Sequence, residues 1–136
     1  MESTGYGTGE GLCGWNCRHS FGPGDLRHNP YAQFDAEENK KAFDLSQKQR
    51  GKESRIRRTK TKLVGLRTAI EAAEDAGVKA TLEAQYTRTA KLLEKQNLDY
   101  NQFCEDNGLK RLSDRIQIAK WTREDARKSI AAARSK

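Results

Sequence analysis

Long apolar runs are missing from this chain. No stretch of eighteen apolar residues occurs, so no segment reads as a membrane-spanning helix. Proline is nearly absent: the only two, Pro23 and Pro30, both precede Tyr31, and everything after them is free to be helical. Aromatic residues are sparse at 7%, and the apolar fraction is only 35%. Such a composition excludes a large core and favours long amphipathic helices beside a polar flank. The three cysteines are an odd number, and no closely paired framework includes Cys104. That pattern points to a reducing compartment with a buried thiol, not to a disulfide scaffold. The first residues carry no basic-then-apolar leader pattern.

What is present is charge, and it is unevenly placed. The chain carries 26 basic and 19 acidic side chains, a formal net charge of +7 over 136 residues. Lys48 to Arg67 holds nine basic residues (Lys48, Arg50, Lys52, Arg55, Arg57, Arg58, Lys60, Lys62, Arg67) against Glu53 alone. Lys110 to Lys136 holds nine basic residues against three acids, whereas residues 1–45 hold four basic and seven acidic. One reading is a solvated helix face. The sharper one is contact with phosphates or with an acidic protein surface, for which Lys52, Arg55, Arg57, Arg58, Lys60 and Lys62 are the candidates. The basic run contains no aromatic residue, which disfavours base stacking and sequence readout. Nucleic acid, if it is the partner, is expected to be held through its backbone.

The stretch from about Leu45 to Cys104 has the clearest periodicity. Ile56, Leu63, Leu66, Ile70 and Ala73 are spaced by seven, three, four and three, the seam of a coiled coil. Val78, Leu82, Tyr86, Ala90, Leu93, Tyr100 and Phe103 continue on a second arm, with a polar gap at Asn97. Asp44 or Ser46 is predicted to cap the first arm. Gly77 is predicted as the left-handed residue that ends it, and Glu105 to Gly108 closes the second. Each arm of roughly 28 residues would be about 42 Å long. The turn is short, so the arms must be antiparallel neighbours. Gly51 and Gly65 weaken the first arm, and Gly65 reads as a point of close helix approach. The seam is thin and predicts a marginal fold unless a third helix or a partner covers it, an oligomer through the seam being one such cover.

The flanks read differently. Seven of the eleven glycines fall in residues 1–30. Gly5, Gly7, Gly9 and Gly11 alternate, but no strand precedes them and no Gly-Lys-Ser/Thr follows, so a phosphate-cradling loop is not indicated. A chain that starts this way reads as the C-terminal piece of a longer protein. Cys13, Cys17, His19 and His28 have the ligand types and count of a zinc site, but their spacing matches no finger or ribbon. The expectation is a loop with reduced thiols, packed Trp15 and Phe21, and no cofactor. A Cys17/His19 nucleophile pair has nothing nearby to orient the histidine, so catalysis is not expected. Asn29 to Phe34 is predicted to be extended, and Tyr31 and Phe34 are predicted to dock on the hairpin. Asp35 to Glu38 resembles an acidic first turn, leading into a helix that bears Ala42, Phe43 and Leu45. After Gly108, Leu109, Leu112, Ile116 and Ala119 recur at helical spacing. Thr122 then reads as the N-cap of a short basic helix with Ala126, Ile130 and Ala133. The fold class is therefore mainly α: a flexible Gly/Cys/His segment (1–34), an antiparallel helical hairpin (35–108) and a basic helical tail (109–136).

Residues 4–21, Thr-Gly-Tyr-Gly-Thr-Gly-Glu-Gly-Leu-Cys-Gly-Trp-Asn-Cys-Arg-His-Ser-Phe, resemble a motif of the phage minor capsid protein 2 family. Those are head-morphogenesis proteins of tailed phages, related in role to the Mu F-like head proteins. The motif residues here are Asn16, Cys17, Arg18, His19, Ser20 and Phe21. Ser46 to Arg50, Glu53, Arg55 to Arg58, Lys60, Tyr100 to Phe103, Asn107 to Leu109 and Arg111 to Arg115 are similar to the family's later segments. Cys13 stands at a variable position of the block, and the family's larger upstream part, with its own His- and Cys-bearing motifs, is absent. The resemblance implies a structural, non-enzymatic component of the phage head acting in capsid assembly near the portal. It implies partners among head or portal proteins. It also implies residence in the virion, with the host cytoplasm as the site of assembly. A sequence-nonspecific nucleic-acid-binding helical module is the alternative.

Overall fold

A computed structural model describes residues 35–135. The chain divides into two units, Met1–Asp35 and Ala36–Lys136, and the second is the one described here. The elements are α1 (Ala36–Ala72), α2 (Ala76–Asp106), one 3₁₀ turn (Ser113–Ile116) and α3 (Arg123–Arg134). No strand occurs among the described residues. The fold is mainly α, and α1 and α2 pack along each other as the predicted hairpin.

The hairpin differs from its sequence reading in three places. First, α1 is one uninterrupted helix of 37 residues, about 55 Å long. The acidic lead-in turn at Glu37 and Glu38 is its true start, so Asp44 and Ser46 lie in its interior and cap nothing. Second, the reversal comes earlier than Gly77. Asp75 caps α2, its carboxylate accepting from Val78 N–H at 2.8 Å. Gly77 therefore sits inside the first turn of α2. The reversal is thus marked by an aspartate that satisfies an N–H at the start of the second helix, and no left-handed glycine stands at the end of the first. Third, Gly65 is not a point of close approach. It is exposed, and a Cβ built on it meets nothing within 4 Å.

The far end of α2 closes as predicted. Gly108 N–H donates to Glu105 O (3.2 Å) and Leu109 N–H to Cys104 O (2.8 Å), with Gly108 at φ +60. This is the Schellman arrangement, in which a glycine without Cβ takes the left-handed position and two orphan carbonyls are satisfied.

Residues 109–119 are not the helix their spacing predicts. Only Ser113–Ile116 makes a 3₁₀ turn, and Gln117 is extended. The backbone groups that a helix would pair are taken elsewhere. Gln49 donates to Lys110 O (3.0 Å), Lys60 to Ile116 O (2.8 Å) and Arg57 to Arg115 O, while Leu112 N–H donates to Tyr100 Oη (3.3 Å). Side chains of the hairpin thus hold this segment as a strap along the groove between the arms. Lys120, at φ 65, turns the strap into α3. Thr122 caps α3 as predicted. Its hydroxyl accepts from Asp125 N–H (3.2 Å), and Asp125 Oδ2 accepts from Thr122 N–H (2.8 Å), forming a capping box.

The core comprises Ile56, Leu63, Ala90, Leu93, Tyr100, Cys104, Ile116 and Ala133. Two of these come from the strap and α3, so the C-terminal tail is part of the fold and not an appendage. Leu109, Trp121 and Tyr86 pack against the core from its edge. Val78 of the predicted seam is instead exposed (53%), because it lies in the first turn beside the reversal. Ile130 is also exposed (48%), the buried face of α3 being Asp125, Ser129 and Ala133.

Candidate functional site

The buried face of α1 is half polar. Stepping by four and three, it runs Gln49, Glu53, Ile56, Lys60, Leu63, Arg67 and Ile70. Gln49, Glu53 and Lys60 are buried, and Arg67 is partly so. Each polar member meets the C-terminal part of the chain or the tyrosine beneath it. Glu53 accepts from Tyr100 Oη (3.0 Å) and faces Arg115 at 3.9 Å. Arg67 pairs with Asp125. These rungs fix the register of strap and α3 on the hairpin.

Each predicted contact residue falls into one of two groups. Lys52 pairs with Asp99 and lies 5.1 Å from the Phe103 ring centre. Arg57 holds the Arg115 carbonyl. Lys60 is buried on Ile116 O, with its Nζ 5.5 Å from the Trp121 ring centre. Burial lowers the Lys60 pKa, and the nearby Arg111 charge lowers it further. These three build the fold. Arg55, Arg58 and Lys62 are exposed and make no ion pair among the described residues. Spaced by three and four, they share one outward stripe of α1, with Lys48 in line before them. The structure therefore brings together a free basic stripe narrower than the six residues predicted.

Asp125 anchors the other end of the strap. Burial pushes its carboxyl upward. The hydrogen bonds from Thr122 backbone and hydroxyl, then the Arg67 hydrogen bond and charge, outweigh that and hold the pKa below the usual carboxylate range. A depressed folded pKa gives stability that is present above the unfolded value and lost as pH falls through the folded one. The attachment of α3 should therefore be intact at neutral pH and loosen below about pH 4, where carboxylates protonate. Asp125→Asn should flatten the acid limb of a thermal-stability profile; an unchanged profile would show that this pair carries no pH dependence.

The second feature is an open hollow of about 430 Å³ between α2, the strap and α3. Leu93, Ile116, Trp121 and Ala133 give it an apolar floor, with Lys60 at the bottom. Glu94 and Leu98 on α2 and Ile130 and Arg134 on α3 line its sides.

The metal candidates Cys13, Cys17, His19 and His28 lie outside the described residues, as do Asn16 to Phe21 and the predicted docking of Tyr31 and Phe34. Among the described residues no three His, Cys, Asp or Glu side chains group as metal ligands. No helix among them is long and apolar enough to cross a membrane. Cys104 is buried and unbridged.

The family described as phage minor capsid protein 2 matches residues 1–98, which span the glycine-rich segment, α1 and most of α2. The chain belongs to that family. The block Asn16 to Phe21 and the basic arm both fall inside the matched region; the strap and α3 fall beyond it. No curated protein and no solved structure matches the chain. Membership makes it a phage minor capsid protein by class, and its expected partners are phage structural proteins.

Sequence reasoning placed Tyr100 on the seam of the second arm but missed Gln49, Glu53 and Arg67 on that of the first, and Asp125 as the partner of Arg67. The signal was present: carrying the four–three register back from Ile56 lands on Glu53 and Gln49. A search for apolar residues alone passes over them.

Proposed function

We propose that this minor capsid protein acts in head assembly near the portal, enters the virion in few copies and is present in the host cytoplasm while heads form. The family match over residues 1–98 carries this reading. The exposed stripe of Arg55, Arg58 and Lys62 supports it, since it offers a surface to acidic head components. A thin-cored hairpin also gains stability by docking on a larger body, because binding to the folded state alone stabilises it by mass action. The test is a phage with an amber codon at Gln49, grown in a non-suppressing host. Empty, misassembled or non-infectious heads are expected, and mass spectrometry of wild-type virions should find the protein far below the major capsid protein in abundance. Normal infectious heads would rule out an assembly role.

The same stripe favours a second reading, contact with DNA through the phosphate backbone. No aromatic residue lies among Lys48, Arg55, Arg58 and Lys62, so affinity should be indifferent to sequence and fall steeply with salt. Two unrelated labelled duplexes titrated at several salt concentrations should bind alike. The triple change Arg55→Glu, Arg58→Glu, Lys62→Glu should abolish binding without lowering the melting temperature, because none of the three side chains holds the fold. A preference between duplexes would contradict backbone contact.

A further inference from the structure

The hollow between α2, the strap and α3 has the form of a partner groove. Leu98 is 65% exposed and Ile130 48% exposed, and both line it. Exposed apolar side chains gathered beside a concave apolar floor and rimmed by polar residues are a feature of interaction sites. Its volume of about 430 Å³ falls in the range of concave binding sites in general. Trp121 and two arginines, the residue types that concentrate binding energy at interfaces, are among the residues that line it.

The charge around the hollow selects the occupant. Arg111 on the strap and Arg134 at the end of α3 are exposed on its rim, Lys60 lies at its base, and Glu94 is the one acid in the lining. The α3 side of the groove, from Ala126 to Arg134, is about 12 Å long at 1.5 Å per residue, which matches two turns of a helix laid against it. We propose that this groove docks an acidic amphipathic helix of a partner protein, its apolar face on Leu98, Trp121 and Ile130 and its carboxylates on Arg111 and Arg134. This goes beyond the head-assembly reading, which rests on the family match and names only the α1 stripe as a surface; the groove stands or falls independently of it.

The probe is a fluorescein-labelled synthetic helix with leucine at i, i+3, i+4 and i+7 and glutamate elsewhere. Its anisotropy is followed on titration with the full chain. A control peptide carries lysine in place of every glutamate. The acidic peptide should bind with one-to-one stoichiometry, and the lysine peptide at least tenfold more weakly. Leu98→Asp with Ile130→Asp should weaken binding at least tenfold. Arg111→Glu with Arg134→Glu should do the same at low salt, with the difference shrinking as salt rises. All four positions are exposed, so circular dichroism melts of both variants should match the parent. Absence of binding, equal binding of the two peptides, or indifference to both variants would overturn the proposal. Sedimentation adds one more outcome. A dimer of the parent chain that Leu98→Asp with Ile130→Asp converts to monomer would make a second copy the occupant, and the acidic-helix proposal would fall.

Discussion

Tyr100→Ala should destabilise the fold by about 4 kcal/mol or more, whereas Tyr100→Phe should cost only about 1–3 kcal/mol. Tyr100 is fully buried at the centre of the hairpin. Its ring contributes packing that alanine would replace with a cavity, and truncations of buried aromatic residues cost about 3–5 kcal/mol. Its hydroxyl joins three parts of the chain. It donates to Glu53 on α1, and it accepts from Gln49 on α1 (3.4 Å) and from the Leu112 N–H of the strap. Burial raises the Tyr100 pKa, the neighbouring Glu53 carboxylate adds to this, and the phenol stays protonated as the donor that Glu53 needs. Phenylalanine keeps the ring but leaves Glu53, 1% exposed, facing only Arg115 at 3.9 Å, and leaves Leu112 N–H unpaired. Urea melts of the three proteins should rank parent, then Phe, then Ala. A Phe variant as stable as the parent would mean that water replaces the hydroxyl and that the network contributes no stability.

This network also explains which parts of the fold could be read from sequence. Apolar residues at steps of three and four placed Ile56, Leu63, Leu66, Ala90 and Leu93 in the buried face, because burial of helix stripes follows the helical period. Local chemistry placed the ends where a single residue decides them, as at Thr122 and Gly108. The strap was illegible for a physical reason. Leu109, Leu112 and Ile116 have helical spacing, but helix needs its own backbone hydrogen bonds, and in this fold those groups pair with Tyr100, 12 residues away, and with Gln49, Arg57 and Lys60, 56 to 61 residues away. Propensity is a weak prior against such tertiary partners.

The basic arm was legible in total charge and misleading in detail. A run of nine basic residues looks like one surface, yet a helix distributes them around its axis, and the seam takes its share. Lys60 and Arg67 stand on the buried register, Lys52 and Arg57 on its margins, and Lys48, Arg50, Arg55, Arg58 and Lys62 stay exposed for solvent or a partner. Buried cations of this kind hold register more than they add stability, since their desolvation opposes the gain from pairing. Here each one points at a fixed acceptor of the C-terminal part, the carbonyl of Ile116 or the carboxylate of Asp125. Sliding the strap and α3 by a residue would part Lys60 from the Ile116 carbonyl and Arg67 from the Asp125 carboxylate, which favours one position along the hairpin.

Leu93→Asp should be as damaging as the loss of Tyr100. Leu93 is 5% exposed and lies in the core beside residues of both α1 and the strap. The substitution removes a side chain whose loss alone costs about 2–5 kcal/mol in other cores. It also places a carboxylate in an apolar setting, where an unpaired polar group costs a further few kcal/mol. The sum, about 4 kcal/mol or more, is comparable to the whole stability of a small domain, so the variant should be largely unfolded at 37 °C. Lys91→Asp, two residues away on the exposed face of α2, introduces the same carboxylate with no burial and should stay within about 0.5 kcal/mol of the parent. Thermal melts followed by circular dichroism at 222 nm would separate the two. Because Leu93 also floors the groove, its loss should remove binding of the acidic helix along with the fold, while Lys91→Asp should leave the groove intact. Equal melting of the two variants would place the buried face of α2 elsewhere than the three–four spacing and the packing against Ile56, Leu63 and Ile116 put it.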